Sequence, residues 1–302
     1  MNKKSIILCI FYAWMSILCY GQTGRLFTAD QELSSSMINS IYQDHNGIIW
    51  IATEDGLNKY DGAKFSIYKS DKNDEHSLAN NYVRCVFESS KKECFVGTLS
   101  GLQHYSADAD RFTDIPLILQ DGIIVEPNVA AIEELSNGDL LVGTAGQGLF
   151  KITNTHKGLV GISMEKRIPI PIVNALHEDR NGNLWISAGE NGIFRIDRNQ
   201  QLHCYQKGAN ESEYTISSIC ETPDKQIYIG SLGKGLLKYN PTLDLFEPII
   251  YANHPELPVK SLLLATPDEI YIGTDGYGLK VYNIQSLSLI HISEPTRPEP
   301  TS

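Results

Sequence analysis

The residues best suited to chemistry are scattered along the chain. Its 302 residues include eight histidines, at 45, 76, 104, 156, 177, 203, 254 and 291. No two stand four apart as on a helical metal-binding face, and there is no His-Glu-x-x-His run. His177 falls where an inner strand is expected, and a packed histidine is a simpler reading there than a base or a ligand. No Gly-x-Ser-x-Gly elbow occurs. Gly230-Ser-Leu-Gly-Lys-Gly235 looks like a phosphate cradle, but it lies between strands and not ahead of a helix N-terminus. The acidic neighbours Glu54-Asp55, Glu133-Glu134 and Glu178-Asp179 read as solvated faces. The residues therefore point to no catalytic group, no metal and no cofactor. Binding remains. Six short variable stretches could serve it: Glu54-Asp55, Leu99-Ser100, Ala145-Gly-Gln147, Gly189-Glu-Asn191, Leu232-Gly-Lys234 and Asp275-Gly-Tyr277. Glu54, Asp55, Gln147, Glu190, Asn191, Lys234, Asp275 and Tyr277 supply groups that hydrogen-bond to sugars or stack on them. Ordinary turn chemistry accounts for any one of them taken singly.

The elements that position these stretches repeat. Trp50, Phe95, Leu141, Trp185, Tyr228 and Tyr271 stand 45, 46, 44, 43 and 43 residues apart. A fixed period of this size marks a repeat architecture. After each anchor comes a β-branched residue, then two small ones, such as Gly143-Thr144 and Gly230-Ser231. A turn follows, ending in Gly56, Gly101, Gly148, Gly192, Gly235 or Gly278, where a positive φ suits glycine. Upstream lies another strand, with β-branched residues twelve back (Ile38, Val83, Val129, Val173, Ile216, Val259) and a small residue ten back. The small positions imply that another backbone or a crowded side chain comes close. A weaker fourth strand shows around Phe65–Tyr68, Phe112, Leu202–Tyr205 and Phe246. No stretch has helical periodicity. Four short antiparallel strands per repeat predict an all-β fold, a β-propeller of four-stranded blades. The regular spacing argues against a β-sandwich. The motifs fall near 38–68, 82–112, 128–152, 172–205, 216–246 and 259–284.

Met1-Asn-Lys-Lys4 followed by an apolar run to Cys19 reads as a secretory signal peptide over 1–21. The run is shorter than the roughly 20 residues a spanning helix needs. Residues 22–285 are assigned to the propeller. Phe27 onward parallels the fourth strand of a blade, so six motifs plus an orphan strand suggest an incomplete seven-bladed ring, with a closed six-bladed ring as the alternative. Residues 286–302 fit no repeat and read as an unstructured tail of artefactual sequence. The formal charge of −11, about −13 without Lys3 and Lys4, argues against nucleic acid or an anionic membrane as partner. Cys85 and Cys94 could pair across a hairpin in an oxidising compartment, though free thiols are the simpler reading.

Ile41-Tyr-Gln-Asp-His-Asn-Gly-Ile-Ile-Trp-Ile-Ala-Thr-Glu-Asp-Gly-Leu-Asn-Lys-Tyr60 resembles the two-component regulator propeller repeat, and Ala175-Leu-His-Glu-Asp-Arg-Asn-Gly-Asn-Leu-Trp-Ile-Ser187 nearly as well. The second copy departs from it, with Ser89-Ser-Lys-Lys-Glu93 in place of the Asp-x-x-Gly turn. The resemblance covers residues 25–284. It implies the periplasmic sensor region of a Bacteroidetes hybrid histidine kinase, built from two propellers, a small β-sandwich and a membrane helix ahead of the kinase. It further implies an oligosaccharide ligand, a homodimer through the full periplasmic region, and membrane attachment only through a C-terminal segment outside this sequence. This stretch would carry no kinase and no enzymatic activity. A secreted stand-alone propeller binding a glycan or a protein is the alternative, and a propeller lyase with a metal or an acid–base pair in its channel is a further one.

Overall fold

Each blade is an antiparallel meander whose second strand is buried almost throughout, as in Leu140–Thr144 and Ile227–Ser231. The computed structural model describes residues 27–292 apart from 30–31, 206–214 and 251–256, so the expected signal peptide and the end of the tail lie outside it. Blade one runs Ile38–Gln43, Ile49–Thr53, Gly56–Tyr60 and Phe65–Tyr68, paired in that order. Five further sheets repeat the pattern, giving six four-stranded antiparallel blades in a ring. Their first strands lie against one another from blade one to blade six and so sit nearest the axis. Among the described residues the one helical turn is a 3-10 turn at Gly189–Asn191.

The small positions mark where space runs out. The residue ten before each anchor pairs with the one two after it: Cys85 with Gly97, Ala131 with Gly143, Ser218 with Gly230. The next blade's β-branched residue then sits on the glycine. A Cβ on Gly97 would lie 2.6 Å from Val129 Cγ1, and one on Gly230 2.5 Å from Val259 Cγ1. Gly143 lies under Val173 in the same way.

The position three after the anchor is small for another reason. Thr53 donates its hydroxyl to the Gly56 carbonyl (2.8 Å), Thr144 to Gly148 (2.8 Å) and Thr274 to Gly278 (2.6 Å). The hydroxyl closes the turn and also accepts from a backbone N–H at its tip, as from Asp55 (3.1 Å). All six turn glycines have positive φ.

A second tie between blades recurs at the opposite end. Glu88 accepts from the His45 backbone N–H (2.9 Å), Glu134 from Ser90 (2.5 Å), Glu178 from Ser136 (2.5 Å) and Glu221 from Arg180 (3.1 Å). Each bond reaches from one blade's first strand to the preceding blade's turn. The fifth seam lacks this tie, because Pro223 has no N–H and Leu264 stands in the carboxylate's place.

Several expectations change. Ser288–His291 is the fourth strand of blade six, paired with Leu279–Asn283, so the fold extends beyond 285. Gly158–Ser163 completes blade three. A hairpin of two two-residue strands, Leu117–Ile118 and Ile124–Val125, extends that blade to six strands. The stretch after Phe27 forms a turn, with Leu33 N–H donating to Thr28 carbonyl, and not a strand. A lone fourth strand needs a third strand beside it, and none pairs with this stretch among the described residues. The four described cysteines are free.

Replacing Gly143 by alanine forces Val173 to move and should lower the unfolding free energy in urea by about 1–3 kcal/mol. Gly273→Ala should cost far less, because the nearest atom there is the rotatable Ser261 hydroxyl.

Candidate functional site

The turns between second and third strands gather at the same end of the blades as the connectors between blades. Backbone bonds hold tip to connector: the Gly56 N–H donates to Asn81 carbonyl (2.7 Å) and the Gly101 N–H to Pro127 carbonyl (2.9 Å). This end is a face of fixed backbone and variable side chains, the arrangement in which loops serve recognition.

Two places on it are built. At the blade one–two junction Glu54 accepts from the Tyr82 hydroxyl (3.2 Å), and Asp55 accepts from Lys69 Nζ (2.6 Å) and Asn81 Nδ2 (3.1 Å). Asn80 Nδ2 reaches Ser100 Oγ (3.0 Å). Burial, with Glu54 beside it, raises the Tyr82 phenol pKa above its ordinary value. The result is a carboxylate-, amide- and phenol-bearing surface held in place by its own bonds. At the blade three–four junction a cleft of about 380 Å³ is lined by Gln147, Glu165, Leu119, Ile168 and the Pro169–Pro171 segment. Its floor is apolar and its rim carries one amide and one carboxylate.

The other candidates lie apart. Glu190 and Asn191 sit exposed on the 3-10 turn. Asp275 pairs with Lys260 (3.4 Å), and Tyr277 is exposed beside it in the sixth tip. The Lys234 backbone N–H caps on Ser231 Oγ (3.2 Å). Glu54 and Asp55 thus share one network and Gln147 lines a cleft, while no contact between different tips joins the eight into a single pocket among the described residues. Tyr82, Asn80, Asn81 and Glu165 come from connectors of unequal length, so the period that aligned the tips did not reach them.

The opposite end is structural. In blades one and four an aspartate organises the turn between first and second strands. Asp44 Oδ1 accepts from the Asn46 and Ile48 N–H groups, and Oδ2 from the Trp50 indole (3.0 Å). Asp179 repeats this with Asn181, Asn183 and Trp185 (2.8 Å). Each tryptophan packs under a cation and two tyrosines: Lys59, Tyr68 and Tyr105 around Trp50, and Arg195, Tyr205 and Tyr239 around Trp185. Tyr68 and Tyr105 both donate to Asp110, each at 2.6 Å. Tyr205 and Tyr239 both donate to Asp244, at 2.7 and 2.5 Å.

His177 lies on the innermost strand of blade four between Glu133 (3.8 Å) and Glu221 (3.7 Å), with Arg180 3.9 Å from Glu221. Its Nε2 is buried without a hydrogen bond. Burial pushes the Glu133 carboxyl up to about 7 and lowers the His177 imidazole. Among the described residues no group of three or more His, Cys, Asp or Glu is arranged to hold a metal.

Residues 32–55 and 168–190 match the two component regulator propeller model. Both stretches contain the aspartate–indole turn. A curated relative, histidine kinase P4 of Formosa agariphila, is 32% identical over 83 residues, 26% of this chain and 6% of that protein. The extracellular domain of a protein described as a hybrid two component system of B. thetaiotaomicron superposes with a TM-score of 0.74 at 21% identity, over 89% of this chain and 37% of that one. A second such domain gives 0.75 at 17%, over 92% and 40%. Virginiamycin B lyase from Staphylococcus aureus gives 0.62 at 13%, over 90% and 88%. At these identities the likeness establishes the propeller fold. The chain spans about two fifths of the extracellular domains it resembles and 6% of the curated relative. Those two neighbours are extracellular domains, and no helix among the described residues of this chain is long and apolar enough to cross a membrane.

Glu133 and His177 oppose one another in pH dependence. A carboxyl raised on folding favours the folded state below its ordinary value near 4.3, and that contribution is lost as pH rises toward 7. A histidine lowered on folding loses stability as pH falls below about 6.5. Between pH 4.5 and 7.5, Glu133→Gln should therefore leave a stability that rises with pH, and His177→Gln one that falls. Urea midpoints across that range measure both slopes.

Proposed function

We propose that this chain is the propeller of a periplasmic ligand-sensing region in a hybrid two-component system, and that its ligand is an oligosaccharide released from a glycan. The observation that carries the reading is the match of residues 32–55 and 168–190 to the two component regulator propeller model. The relative named as a histidine kinase and the extracellular neighbours described as two component systems support it. The tip face supplies suitable chemistry. Sugar hydroxyls can donate to Glu54 and Asp55 and accept from Asn81 and Lys69, while the Tyr82 ring offers a face for stacking.

No bond is made or broken in this mechanism. A ligand that binds one arrangement of the periplasmic dimer better than another shifts their populations by its differential affinity, and the bias passes through the membrane to the kinase, where it adjusts genes for polysaccharide use. A stand-alone secreted propeller would bind with the same face but have nothing to signal to.

Titration calorimetry of the purified chain against a panel of plant, algal and host oligosaccharides tests the proposal. One saccharide should bind, and Tyr82→Ala should weaken it at least tenfold, a loss of about 1.4 kcal/mol, with the melting temperature unchanged within about 2 °C. Binding that Tyr82→Ala and Glu54→Ala leave intact would move the site elsewhere. Silence from every saccharide, alongside binding of a peptide or protein, would overturn the glycan reading.

A further inference from the structure

In five of the six first strands one residue falls out of register near the tip end, as a bulge: Asn39, Arg84, Ala130, Ser217 and Lys260. Such a bulge takes one side chain out of the strand's alternation and re-aims it. The scaffold uses most of these side chains. Asn39 Nδ2 donates to the Val83 carbonyl (2.7 Å) and Ser217 Oγ to the Val259 carbonyl (2.6 Å), each on the next blade's first strand. Lys260 reaches Asp275 in its own blade's tip (3.4 Å). Ala130 has no polar group to place. Arg84 is the exception. It occupies the position of Asn39 and Ser217, is partly buried, and its guanidinium makes no hydrogen bond or ion pair among the described residues. An arginine carries five N–H donors in a rigid fork. Holding them unpaired while partly withdrawn from water costs free energy that a matched anion would offset.

Arg84 also stands at the candidate site on the blade one–two junction. The Tyr82 phenol is within reach of both signs of charge. Glu54 accepts from its hydroxyl (3.2 Å), and the Arg84 guanidinium opposes the rise that burial and Glu54 impose on its pKa. Lys69, the other cation of this junction, is already committed to Asp55 (2.6 Å). One cation is therefore in use and one is not.

We propose that Arg84 binds an anionic substituent of the ligand, so that the saccharide held at the blade one–two junction is acidic, a uronate or a sulfated sugar. The inference rests on the saccharide reading proposed above and narrows it. The ring hydroxyls of the sugar donate to Glu54 and Asp55, and its carboxylate or sulfate accepts two parallel N–H bonds from the guanidinium fork. A lysine at position 84 would keep the charge and lose the fork. A neutral saccharide would leave the guanidinium with hydroxyl acceptors alone, which match neither its charge nor its geometry.

Titration calorimetry of the full chain against matched pairs tests this. The pairs are oligogalacturonate and oligomannuronate, each with its methyl-esterified form, and a sulfated galactan oligosaccharide with its desulfated form. One acidic member should bind at least about tenfold more tightly than its neutral partner. The pair that shows the preference tells carboxylate from sulfate. Arg84→Gln should shrink the preference to within about twofold and Arg84→Lys should leave an intermediate one, with both melting temperatures within about 2 °C of the parent. Independently, phenylglyoxal should modify Arg84, located by peptide mass, and the bound acidic saccharide should protect it. A neutral member that binds as tightly as its acidic partner would overturn the inference and leave the saccharide reading standing. So would an acid preference that survives Arg84→Gln, or an Arg84 that stays reactive in the complex. Silence from all these ligands while another neutral saccharide binds would also overturn the inference alone. Silence from every saccharide would overturn both.

Discussion

The structure depends on a β-branched side chain seated on a small residue at each of the five seams, a glycine at three of them. A blade alone is a small twisted sheet with two apolar faces and little to bury. Stacking covers those faces, and the glycine lets the neighbouring valine come within contact of the backbone. The other regularities answer to this one. The residue ten before the anchor is small because it faces the same glycine across its own hairpin. The bulge that follows the β-branched residue in five of the six blades lets both that residue and the one three positions later face the preceding blade.

Around this constraint the two ends of the blades have diverged. The end away from the tips is fastened by charge and hydrogen bonds: carboxylates reach to the preceding turn, and Asp44 and Asp179 hold the tryptophans. The aromatic clusters around Trp50 and Trp185 use the same set of partners three blades apart. Asp110 and Asp244 are both held below the usual carboxylate range by the tyrosines that donate to them. At the tip end the recurring bonds fix the backbone, through threonine hydroxyls and glycine N–H groups, and side-chain networks such as that of Glu54, Asp55, Asn81 and Tyr82 are local to one junction. Side chains there are free to differ, which suits a face whose ligand varies while the scaffold stays constant.

Much of this was legible because it is written six times. The anchor, the β-branched positions and the turn glycines align by simple spacing, and the structure places them in equivalent sites. Elements without that redundancy were harder to see. The strands Leu117–Ile118 and Ile124–Val125 are too short for a pattern, and Gly158–Ser163 and Ser288–His291 lie at the outer edge where the repeat is loosest. Thr53 and Thr144 looked small but act through their hydroxyls, a difference that size alone does not reveal. The glutamates at 88, 134 and 178 stand seven before their anchors and could have been noticed. Their role could not, since each partner is a backbone N–H of another blade. At the candidate site the tip residues were visible as variable positions, whereas Tyr82, Asn81 and Glu165 lie in connectors that no period aligns.

The account's central claim is that the tip face meets the ligand and the opposite end only holds the ring together. Hydrogen–deuterium exchange of the full chain, with and without a saturating oligosaccharide, tests that division directly. The account predicts slowed exchange at 54–56 and 80–82 or at 146–148 and 165–171, with the turns at 44–47, 89–92 and 179–182 unchanged. Protection confined to those turns, or spread evenly over both ends, would contradict it.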